Sequence, residues 1–78
     1  MTRREFNEIK PNDRVINTTC ENGAATVKIV RRDWINGKLK TRWIVLEFDE
    51  PVKFRGIKDR IPVLAVKYCS HVKKEAAI

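Results

Sequence analysis

Two Asn-Gly pairs, Asn22-Gly23 and Asn36-Gly37, interrupt three runs rich in Val, Ile, Thr and aromatic residues. Such a pair between β-prone runs is the strongest short-range hairpin signal, because a type I′ turn needs positive φ at both central positions. The runs at 13–19, 24–35 and 38–49 therefore form an antiparallel meander. Pro51 and Gly56 then mark a basic loop, and 61–69 reads as a further strand whose Pro62 suits a sheet edge or a strand start. Before the meander, Thr2 and Glu5 have capping-box spacing, with Phe6 and Ile9 on one side of a short helix over 2–9 that ends before Pro11. A frayed tail is the competing reading for this segment.

Two two-residue turns fix the pairing. Partners across the first turn sum to 45 and across the second to 73, so Ile16, Ile29 and Ile44 make one row of a core face. Thr18, Val27 and Leu46 follow, then Cys20, Ala25 and Phe48. The same register brings Arg14, Arg31 and Arg42 together at the far end of that face. Like charges directly opposite one another destabilise a sheet, which leaves two readings. A β-bulge near Asp33 or Arg14 keeps the arginines apart, or the row is an anion site whose ligand offsets the repulsion. The opposite face carries Val15, Val30 and Trp43, with Trp34 and Trp43 beside Lys28 and Arg32. Aromatic and basic groups so interleaved suit stacking on unpaired bases. Alternatively Trp43 and Val30 build a second small core, while Trp34, near a hairpin tip, is exposed.

The charge is uneven. Of the net +7, residues 31–42 supply +4 (Arg31, Arg32, Lys38, Lys40 and Arg42 against Asp33). Residues 53–60 supply +3 (Lys53, Arg55, Lys58 and Arg60 against Asp59). Localised positive potential attracts a polyanion, although it also serves solubility. If loops cluster at one end of a small barrel, both segments flank one groove.

At residues 9–15 (Ile-Lys-Pro-Asn-Asp-Arg-Val) the chain resembles the opening "pGDrV" element of KOW and related SH3-like barrels. Residues 22–30 are similar to the following "G-x-x-G-x-V-x-x-I" segment, and 43–49 to the "v-V-x-F-D" strand. Asn12 and Thr26 stand where glycines are usual, and asparagine tolerates the left-handed region. The resemblance implies an all-β, SH3-like small barrel of about five short antiparallel strands. The barrel would span 11–69, after an N-terminal tail or short helix at 1–10 and before a flexible C-terminal tail at 70–78. Members of that class bind nucleic acid or dock onto proteins, so the fold does not choose between them.

Catalytic signals are missing. The one histidine, His71, lacks a Ser or carboxylate partner at a catalytic spacing, and Cys20, Cys69 and His71 fall short of a standard zinc pattern. No enzyme activity, metal or cofactor is expected. Cys20 and Cys69 read as two reduced thiols in a cytoplasmic protein, with a bridge as the alternative. No apolar run approaches the roughly 20 residues of a membrane span, and no membrane partner is expected. Nucleic acid, RNA or single-stranded DNA, is the leading partner class, and an acidic protein surface the alternative. The candidate binding residues are Arg14, Arg31, Arg32, Trp34, Lys38, Lys40, Arg42, Lys53, Arg55, Lys58 and Arg60.

Overall fold

The computed structural model describes residues 1–75, and of residues 40–42 the backbone alone. The chain opens with a single-turn helix, α1 (Arg3–Asn7), held by the expected capping box. Thr2 Oγ1 accepts from the Glu5 amide at 3.1 Å, and Glu5 Oε1 accepts from the Thr2 amide at 3.0 Å. That reciprocal bond lets so short a helix persist and turns Phe6 and Ile9 into the core.

Among the described residues five strands follow: β1 (Arg14–Asn17), β2 (Ala24–Ile35), β3 (Lys38–Val52), β4 (Ile61–Val66) and β5 (Val72–Lys74). They form one antiparallel sheet in the order β4-β3-β2-β1-β5, and Pro62 lies on the edge strand, as its missing N–H requires. Residues 70–75, expected to be a loose tail, are instead a 3-10 turn (Cys69–His71) and β5, which pairs Val72 with Asn17 and Lys74 with Val15. Val72 is buried and seals that end of the core. Val72, a single apolar residue in a polar and charged stretch, was too faint a signal to mark the strand. The fraying expected for 76–78 lies outside the described residues. No helix among the described residues is long and apolar enough to cross a membrane.

The second Asn-Gly pair behaves as expected. Asn36 and Gly37 have φ of 51° and 75°, and Ile35 pairs with Lys38 across the turn. The first does not. Asn22 is left-handed, but Gly23 is not; the connection runs from Thr18 to Gly23, and Val15 faces Ala25. Partners across it sum to 40 rather than 45. An odd shift moves every side chain of β1 to the other face, so Val15 and Asn17 are inside while Ile16 is not. Gly23 is required here for space: its carbonyl accepts from the Asn17 amide at 2.8 Å. A Cβ on Gly23 would lie 3.1 Å from the Asn17 carbonyl carbon and closer still to its oxygen.

Two irregularities, at Lys28 on β2 and Arg42 on β3, offset each other in the long hairpin. Between them Val30 faces Ile44, and Ile44 faces Val66. Ile29, expected in the core, is turned outward and is 48% exposed. The core face is thus Val15, Ala25 and Phe48, then Val27 and Leu46, then Val30, Ile44 and Val66, closed by Phe6, Ile9, Val52 and Val72. Asn12, at φ 76°, fills the left-handed position read from its sequence context. Cys20 and Cys69 are free thiols packed against the core, and burial raises the Cys20 pKa.

Replacing Gly23 by Ala forces a clash at the β1–β2 closure and is expected to cost about 1–3 kcal/mol. Gly37→Ala, which meets no atom but keeps φ at 75°, is expected to cost closer to 1 kcal/mol. Urea unfolding of the two variants checks the ranking.

Candidate nucleic-acid interface

The longest basic segment is an arm. Residues 31–38 continue β2 and β3 past the last core pair, Val30–Ile44, and every side chain among them is exposed except the half-buried Asp33. The irregularity at Arg42 divides the arm's two faces. Arg31 faces Trp43 on the outer side, its guanidinium carbon 5.9 Å from the indole centroid. Arg32 and Trp34 share the other side, where Arg32 Nη2 donates to the Ile9 carbonyl. Trp34 lies opposite Leu39 and is 71% exposed. The two tryptophans are therefore not neighbours on one face with Lys28 and Arg32, as the unbulged register had them. Trp43 forms no second core; it is half-buried beneath Arg31, beside Ala65 and Lys67. Lys38 is exposed at the tip, and the side chains of Lys40 and Arg42 lie outside those described.

The arginine row does not form. Arg14 pairs with Thr26, Arg31 with Trp43, and Arg42 is the extra residue on β3. Acids surround Arg14 instead. Its Nη1 and Nη2 donate to Asp49 Oδ1 and Oδ2, each at 2.6 Å, Nη2 also reaches Glu75 Oε2 at 2.9 Å, and Nη1 donates to Thr26 Oγ1 at 2.9 Å. These bonds raise the Arg14 pKa and hold the Asp49 carboxyl below its usual range. Arg14 is thus a fastener between β1, β2, the end of β3 and the end of β5. It is committed internally and is withdrawn from the candidate site.

The second basic segment is the loop 53–60, and it leaves β3 at the end opposite the arm. Lys38 begins that strand and Val52 ends it. At about 3.3 Å per residue, the 15 residues of β3 follow roughly 46 Å of contour from the arm's tip to the start of the loop. A groove shared by the two would have to run the length of β3. Within the loop Lys53 Nζ donates to the carbonyls of Ile57 and Lys58, and Arg60 Nη1 donates to that of Pro51 at 3.4 Å. Those two cations brace the loop's own backbone, while Arg55 and Lys58 face solvent.

Sequence reasoning missed the outer face of β2–β3–β4, where Ile29, Val45 and Ala65 lie side by side with Val63 in the next row. Ile29 and Val63 are about half exposed there. Periodicity assigned Ile29 to the core, and only the irregularity at Lys28 reverses it. No group of three or more His, Cys, Asp or Glu residues among those described could hold a metal ion. His71 lies edge-on to Tyr68, with ring centroids 5.4 Å apart. No protein-family model, curated protein or solved structure matches this chain.

The Arg14–Asp49 bond carries a pH signature. A carboxyl whose folded pKa is depressed adds stability above its unfolded pKa, and that stability is lost as pH falls through the folded value. The ordinary aspartate value is 3.8. Asp49→Asn is therefore expected to lower the urea midpoint at pH 7, and the gap to the parent protein is expected to shrink as pH drops below that value. A gap that stays constant into strong acid would mean that Asp49 is not held by charge.

Proposed function

We propose that this protein binds single-stranded nucleic acid through the β2–β3 arm. The carrying observation is Trp34, an indole 71% exposed on a regular strand. Folding gains little from a side chain so placed, since the stabilisation of an aromatic comes from burying it. A base stacked on it would contribute about 1–3 kcal/mol. Arg31 and Lys38 lie on the same arm, and its residues 31–42 hold more than half of the net charge. An arm of this shape gives backbone phosphates a cationic track and a base a flat partner. It offers no recognition helix for a duplex major groove, which favours unpaired strands.

The proposal narrows the candidate set. Arg31, Trp34 and Lys38 are contact residues, with Lys40 and Arg42 adding charge to the same arm. Arg32, tied to the N-terminal segment, orients the arm. Arg55 and Lys58, at the other end of β3, contact only a ligand long enough to follow the sheet. The fold reading that goes with this is an SH3-like small barrel. Its support is a meander whose last strand returns to pair with the first, leaving β4 and the β1–β5 side as the edges to be brought together.

Titration of a mixed-sequence single-stranded oligonucleotide at about 50 and 200 mM salt tests the reading. With about four phosphates neutralised and a slope near 0.7 per contact, affinity is expected to fall roughly 50-fold between the two. Trp34→Ala is expected to weaken binding about 5- to 150-fold at either salt, the loss of one stacked base. Equal, negligible binding at both salt levels would overturn the proposal.

A further inference from the structure

The sheet has a seam. A groove of about 390 Å³ runs between edge strand β4 and the corner where β1 meets the 3-10 turn, lined by Leu64, Ala65, Val66, Tyr68, Asn17 and Phe54, among others. Leu64, Ala65 and Val66 are consecutive, and successive side chains of a strand point to opposite faces. Three in a row can line one groove only along the strand's edge, so the free edge of β4 is one wall. Natural edge strands are guarded by charges, prolines or bulges. β4 has only Pro62 near its start, and 63–66 (Val-Leu-Ala-Val) carries no charge.

The other wall holds an unmet donor. Asn17 is 1% exposed, and its Oδ1 accepts from the Thr19 amide at 2.8 Å, which fixes the orientation of the side-chain amide. Its Nδ2 then has no hydrogen-bond partner among the described residues. Nδ2 has no accessible surface of its own, so a carbonyl reaches it only as the seam opens, and a buried N–H gains from being paired there. Tyr68 stands at the rim, 59% exposed and already set edge-on against His71. Among the described residues Lys67 is the charged one in the lining, and no carboxylate lines the groove.

We propose that this seam receives an extended segment of a partner protein, added along β4, with apolar side chains turned into the groove and acidic ones outward. A main-chain carbonyl of that segment accepts from Asn17 Nδ2, Phe54, Leu64 and Tyr68 cover its apolar side chains, and Lys67 with the chain's positive field selects the acidic ones. Strand addition of this kind takes affinity from main-chain bonds and specificity from alternate side chains. The seam adjoins the foot of the arm, where Ala65 and Lys67 lie beside Trp43 beneath Arg31, but it shares no residue with the contact set Arg31, Trp34 and Lys38, so oligonucleotide and peptide titrations test the two readings separately.

The test is a ¹⁵N NMR titration of the full chain with a pool of short peptides in which Asp or Glu alternates with Leu, Val, Ile or Phe. Expected are shifts of the 64–66 backbone amides and of the Asn17 side-chain NH₂. Tyr68→Ala, an exposed position that spares the core, is expected to weaken binding about tenfold. A pool with Lys and Arg in place of the acids is expected to bind at least about tenfold more weakly. Absence of shifts at millimolar peptide, shifts confined to the arm around Trp34, or an unmoved Asn17 side chain would each overturn the proposal. So would a single-stranded oligonucleotide that shifts the seam in the peptide's place.

Discussion

The close approach of Gly23 to Asn17 sets the rest of the molecule. Gly23 offers its carbonyl to the Asn17 amide at a separation that no side chain on residue 23 permits. That contact starts β2 opposite the end of β1, so Val15 rather than Ile16 faces the core. It also places Arg14 across from Thr26, within reach of Asp49 and Glu75. Had the turn closed at two residues, β1 would have presented its other face, and Arg14 would have met further cations. One backbone contact therefore decides both the packing and the electrostatics of the sheet.

The excess charge looks uniform in composition but is divided in space and by use. Arg14 is neutralised by two acids, and Lys53 and Arg60 hold the carbonyls of their own loop. Arg32 secures the segment after α1. Cations engaged in this way contribute to a far field but are costly to recruit for a ligand, since each would first give up an internal partner. What is left uncommitted is an arm with an unburied indole at one end of β3 and an uncharged strand edge beside a groove that Asn17 also lines. The nucleic acid proposed for the arm with its indole and the peptide proposed for the β edge would thus meet different parts of the sheet.

Much of the fold was legible in the chain. The capping box, the limits of β2, the second Asn-Gly turn, the core residues Ala25, Val27, Ile44, Leu46 and Phe48, and the edge position of Pro62 all follow from propensity, turn chemistry and period-two patterning. What was not legible has a common cause. Asn22-Gly23 has the composition of a type I′ turn, yet its glycine is selected by space and not by φ. Lys28 and Arg42 are extra residues that no local pattern marks, since an irregularity costs little where a strand bends. Each changes the parity of the alternation, which moved Ile16 and Ile29 out of the core and separated Trp43 from Trp34. β5 was hidden because Val72 is its only buried residue. For the candidate site, the arm could be read from its charge and tryptophan, whereas the seam required the tertiary fold.

Cross-strand NOEs over the first hairpin test the register most directly. The Gly23–Asn17 closure requires Val15 to contact Ala25, and Arg14 to contact Thr26. Contacts placing Ile16 against Ile29 instead would contradict it, and would restore the two-residue turn that sets Arg14 opposite Arg31.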